Sequence, residues 1–213
     1  IKYRCHNLPM SLVALPEGFG EVASLNSLYL GTAVAENEDT YRILSRIGTL
    51  TSLDLSGSDV KSLPECFEKL VNLERESFMA CIKQVQYWPE SIVEHPHLKD
   101  ATELDLSRAK LVALPERIGQ LVNLDEKSME GILEHCKRMP SIPSTLFDHP
   151  YFRTVTKLDL SFWRMTALPK GFGKLTNLKV LNLSGCINLR TLPEGIIRPF
   201  ITFITNIMYK IRN

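Results

Sequence analysis

The sequence predicts an α/β solenoid, in which short units each add one strand to a parallel sheet and one looser return segment. Three observations predict it. The stretches LTSLDLSGSDVKSLPECFEKLVNL (50–73), ATELDLSRAKLVALPERIGQLVNL (101–124) and VTKLDLSFWRMTALPKGFGKLTNL (155–178) superpose without a gap, and LKVLNLSGCINLRTLPEGI (178–196) repeats them with one extra residue. In each, LDLS alternates apolar and polar residues as a half-buried strand does, sending Leu53 and Leu55 to one face and Ser52, Asp54 and Ser56 to the other. Leu63, Phe67, Leu70 and Leu73 then recur at helical spacing, so the return also turns an apolar side inward. One unit cannot cover both surfaces, whereas stacked units can.

Along the chain, LVALPEGFGEVASL (12–25) supplies the later half of a unit alone. The leading apolar positions Leu25, Leu50, Leu73, Ala101, Leu124, Val155 and Leu178 then give steps of 25, 23, 28, 23, 31 and 23. Units at 50, 101 and 155 are plain; those at 73 and 124 are long and put Glu76 and Lys127 where an inward leucine belongs. In the long units Phe78, Cys81, Ile82, Val85 and Trp88 match Met129, Ile132, Leu133, Cys136 and Met139 at an offset of 51. That spacing predicts amphipathic helices near 79–87 and 130–138, each followed by a proline turn, WPESI or IPSTL. The expectation is about seven units over 1–196, plain ones alternating with helix-bearing ones, with 197–213 as a C-terminal cap or tail.

The pattern LxxLxLxx(N/C)xL followed by LP stands in Leu50, Leu53, Leu55, Val60, Leu63 and Pro64. It resembles the leucine-rich repeat, and the resemblance covers about residues 8–196. It implies a right-handed superhelix with the parallel sheet on its concave side, and a non-catalytic module that binds a protein there. LPxxIGxLxNL resembles intracellular repeats of Ras-related signalling scaffolds; LNLSGCINLRTLPEGI resembles plant-type resistance receptors. The rival expectation is the sensor or substrate-docking segment of a larger enzyme or receptor whose catalytic domain lies outside these residues.

Composition narrows the partner class. The 25 basic and 24 acidic residues leave a net charge of +1, so no overall field attracts nucleic acid or an anionic membrane. Five scattered cysteines without CxxC spacing fit neither a disulfide framework nor a zinc site, which points to the reducing cytoplasm. FITFITNIMYKI (200–211) is apolar but shorter than the roughly 20 residues a membrane helix needs. The first residue, Ile1, is not Met, and a fragment of a longer chain is expected.

No phosphate loop, HExxH or GxSxG occurs, and no catalytic residue, metal ligand set, cofactor or small-molecule substrate is implied. His95-Pro96 and His149-Pro150 fall at equivalent places and read as turn markers before a strand rather than as ligands. Cys186 takes the family's Asn/Cys position, which Ser58, Ala109 and Trp163 hold elsewhere. Asp54, Asp105, Asp159 and Asn182 form an outward row, with Ser77 and Ser128 expected between them. Neighbouring aspartates roughly 10 Å apart suit neither an acid–base pair nor calcium. Two readings stand for the row: a solvated face bonded to Ser56, Ser107 and Ser161, or a partner surface. Phe162 and Trp163 replace small residues at a strand end and read either as core or as partner contacts.

Overall fold

The computed structural model describes Tyr3–Cys5, Leu8 and residues 12–192, so the expected cap at 197–213 lies outside the described residues. The chain groups into two compact units: Ile1–Asp100 with Arg108–Leu111, and Ala101–Ser107 with the chain from Val112 on.

In the first unit, β1 (Tyr3–Cys5), β2 (Leu25–Tyr29) and β3 (Ser52–Asp54) form a parallel sheet in that order. Leu28 pairs with Leu53 and Tyr29 with Asp54. Between β2 and β3 the chain forms α1 (Thr32–Ala35) and α2 (Glu38–Leu44), capped by Asn37, whose side chain accepts the Asp39 amide at 3.0 Å. The leucine pattern is the core: Leu50, Leu53, Leu55, Val60, Leu63, Phe67, Leu70 and Leu73 are all buried. Each such side chain contributes about 1.5–3 kcal/mol when withdrawn from water. In the second unit, β4 (Lys157–Asp159) and β5 (Val180–Asn182) pair in register, Leu158 with Leu181 and Asp159 with Asn182.

The long units each contain the expected helix, in the first unit α3 (Arg75–Gln84) and in the second α5 (Glu126–Cys136); between them in sequence lies the short α4 (Pro96–Lys99). The apolar stripes Phe78, Cys81, Ile82 and Met129, Ile132, Leu133, Cys136 are buried as the spacing requires. Both helices begin about one turn earlier than expected. The amides of Glu74, Asp125 and Lys179 each donate to the threonine carbonyl of the preceding unit, Thr51, Thr102 or Thr156, at 2.8 Å. After that shared bond Val-Leu-Asn continues as β5. Arg-Glu-Ser and Glu-Lys-Ser, good helix formers at the start, turn at once into helix. Asp125 fixes one start by accepting the Ser128 amide at 2.8 Å.

This corrects the expected single parallel sheet. Among the described residues the sheets are one of three strands and one of two, and Ser77 and Ser128 lie in helices, outside the outward row. Their hydroxyls stand in for a strand. Ser77 Oγ accepts the Leu53 amide at 2.8 Å and donates to the Leu53 carbonyl at 3.1 Å. Ser128 Oγ accepts the Leu104 amide at 2.9 Å.

The returns are short 3-10 turns, each opening directly after a proline: Glu17–Glu21, Glu65–Lys69 and Glu90–Glu94 in the first unit, Glu116–Gln120, Ser144–Asp148 and Lys170–Lys174 in the second. Proline presets φ and needs no amide partner at a helix start. Carboxylates tie successive turns together. Glu65 accepts the amides of Glu90 and Ser91 at 3.2 and 3.0 Å, and Glu116 accepts the Ser144 amide at 2.9 Å. Turns approach so closely that a methyl on Gly119 would run into the Thr145 carbonyl.

Two substitutions test this packing by urea denaturation. Ser128→Ala strands a buried Leu104 amide and is expected to cost about 2 kcal/mol. Gly119→Ala forces two turns apart and is expected to cost about 2 kcal/mol or more; a cost below about 0.5 kcal/mol in either would contradict the contact assigned.

Candidate functional site

The outward strand positions and the turns that follow them carry the candidate surface. Asp54, Asp105 and Asp159 are exposed and Asn182 is half-buried. Each side chain folds back to accept the amide of the serine two residues on: Ser56 and Ser107 at 2.7 Å, Ser161 at 2.8 Å and Ser184 at 3.0 Å. These are Asx turns, which hold the carboxylate at a fixed angle and lead the chain out of the strand. Hydrogen bonding, first from the Ser161 hydroxyl, holds Asp159 below the ordinary carboxylate range.

The next residue takes the left-handed conformation in all four copies, with φ of +78° at Gly57, +62° at Arg108, +62° at Phe162 and +71° at Gly185. Glycine adopts it freely, whereas Arg108 and Phe162 each bear about 1 kcal/mol of strain. Two glycines among the four were the available sequence signal for this conformation. Phe162 is 75% exposed, donates its amide to the Ser184 carbonyl at 2.8 Å, and lays its ring against Gly185, where any β-carbon would collide. In the first unit Tyr29, paired with Asp54, brings its hydroxyl to the same face of Gly57. Tyr29 escaped the sequence reading because its unit lacks the LDLS signature.

Trp163 is a correction. It is 1% exposed and fills the inward Asn/Cys position, so it belongs to the core and offers nothing to a partner. At that position Cys186 Sγ donates to the Leu160 carbonyl of the preceding repeat at 3.0 Å.

The histidines are more than punctuation. His95 and His149 are buried N-caps. Nδ1 accepts the amide two residues on, from His97 at 3.2 Å or Tyr151 at 3.1 Å. Nε2 faces a carbonyl of the preceding repeat, Leu70 at 3.3 Å or Leu121 at 3.0 Å. The His95 ring also stacks on Phe78, with centroids 3.9 Å apart. Burial lowers both from the ordinary imidazole value, His95 to about 4. Burial likewise pushes the Cys81 and Cys136 thiols up to about 12, so the nucleophilic thiolate is scarce at neutral pH. Among the described residues no group of three or more His, Cys, Asp or Glu side chains is placed to hold a metal, and no helix is long and apolar enough to cross a membrane.

Residues 177–198 match the family model described as Leucine Rich Repeat. The same unit recurs through the described chain with its leucines buried, and the chain is a leucine-rich-repeat protein. An Arabidopsis thaliana protein provisionally named for disease resistance is 29% identical over 155 residues, 63% of this chain but only 12% of its own length. Among solved structures, a Leptospira interrogans leucine-rich-repeat protein aligns over 87% of this chain and 55% of its own, at 20% identity and a TM-score of 0.33. The plant peptide hormone receptor RGFR1 in complex with RGF2 aligns over 88% and 44%, at 17% identity and a TM-score of 0.27.

Replacing Arg108, an exposed strained residue, tests the turn geometry. Arg108→Gly is expected to stabilise the protein by about 0.5–1 kcal/mol, read as a higher thermal midpoint. A lower midpoint would contradict the strain.

Proposed function

We propose that this chain is a non-catalytic protein-binding module, wound as a right-handed solenoid of about seven repeats, that recognises a protein partner in the cytoplasm through its outward strand face. Asp54, Asp105, Asp159, Asn182 and Phe162 are the contact residues, joined by Tyr29. Phe162 carries the reading: a large aromatic ring held three-quarters exposed, in a conformation that costs energy, is an arrangement folding alone does not favour. The Asx turns support it, because a preset carboxylate loses little freedom on binding. Cys66, Cys81, Cys136 and Cys186 are free thiols, which suits a reducing compartment.

The second reading makes the chain the recognition segment of a larger signalling protein, such as a resistance receptor, kinase or ubiquitin ligase. The relative named for disease resistance favours it, since this chain matches a stretch equal to 12% of that protein. The flanking coding sequence separates the two readings.

Affinity capture with the chain and two variants tests the surface. A partner retained by the native chain is expected to be lost from Asp54→Lys/Asp105→Lys/Asp159→Lys and weakened at least tenfold by Phe162→Gly, with both variants folded by circular dichroism. Equal retention by all three chains would move the site to the loops or the opposite side.

A further inference from the structure

Two buried histidines at equivalent places of the repeat share one hydrogen-bond arrangement that function as a binding surface does not require. In each, a backbone amide points at Nδ1 and a backbone carbonyl of the preceding repeat lies at Nε2. An amide can only donate and a carbonyl only accept, so both rings are the neutral tautomer with the proton on Nε2. A second proton would land on Nδ1 and set N–H against N–H at a buried site.

We propose that His95 and His149 are acid-released latches: each ties its return turn to the preceding repeat while its ring is neutral, and frees that turn when the ring takes a second proton. Prolines 96 and 150 place each histidine at the cap by opening the turn directly after it.

No carboxylate bonds the charged ring. Around His95 stand His97, its ring 5.1 Å away, Arg75 from α3, which donates to the His97 carbonyl at 3.0 Å, and Lys99, paired with Glu94 at 3.3 Å. The preceding turn adds Glu68, which accepts from the Ser91 hydroxyl at 3.4 Å, and Lys69. Around His149 are Asp148, held by Lys174 at 2.6 Å, Arg153, and Glu126 and Glu130 of α5 toward Tyr151. Both nitrogens of each ring are occupied by backbone groups, so no carboxylate bonds either ring.

Because the folded protein holds the rings below the unfolded value of 6.5, they leave stability unchanged above that pH. Stability is lost as pH falls below 6.5, for His95 down toward about 4. For His95 alone the unfolding constant is expected to rise about 30-fold between pH 7.5 and 5.

The test is urea denaturation of the native chain and of His95→Asn/His149→Asn between pH 7.5 and 5. Asparagine keeps an N-cap oxygen and does not titrate. The native chain is expected to lose at least 30-fold more in unfolding constant than the variant over that range; equal losses overturn the proposal. Should the variant not fold, nitrogen-detected NMR of the native imidazoles decides. Two rings that stay in the Nε2–H form at pH 5.5 support the latches, and titration of both near 6.5 in the folded protein refutes them.

Discussion

Every turn of this chain leaves backbone donors and acceptors open along one side, and the next turn must meet them. That requirement governs the rest of the structure. The threonine carbonyls of residues 51, 102 and 156 receive the first amide of the following unit, whatever that unit then becomes. Where the next unit is a strand, ladder bonds finish the task, as between β4 and β5. Where it is a helix, a hydroxyl does so: Ser77 and Ser128 serve the amides that a neighbouring strand would have served. Along the returns, Glu65 and Glu116 play the same part for successive turns, and His95 and His149 for the carbonyls of Leu70 and Leu121.

Satisfying these groups consumes nearly all the inward polar chemistry, which explains why chemically suggestive residues prove structural. Cys81, Cys136 and Cys186 fill apolar space or bond a carbonyl, His95 and His149 cap, and Trp163 occupies a core slot. The residues proposed for recognition lie outside the ladder. The Asx turns at the strand ends fix polar side chains against the backbone, and the residue after each takes the left-handed conformation. Glycine at that place is silent. Phe162 and Arg108 are not, and the strain they carry is what separates them from the equivalent residues.

Much of this was legible because repetition multiplies a weak signal. Three aligned copies made the buried leucines plain, and a constant offset of 51 revealed α3 and α5 from stripes too short to stand alone. Where no second copy existed the reading failed. The apolar residues of α2, Tyr41, Ile43 and Leu44, stand in a unit without the LDLS motif, and β1 in a stretch without it as well. Alignment of the repeats places Ser77 and Ser128 at strand positions of the outward row, whereas both lie in helices, so the row is interrupted there.

The sequence by itself determined which leucines of the repeat face inward, where proline opens each return, and which units depart from the plain pattern, because these follow from local periodicity and backbone stereochemistry. Only the tertiary structure decided that a serine on a helix completes a strand edge, that a histidine reaches the previous repeat's carbonyl, and that Phe162 is exposed while Trp163 is buried. Those outcomes depend on which backbone group of the neighbouring repeat lies within hydrogen-bond reach, a distance that exists only once the repeats are stacked.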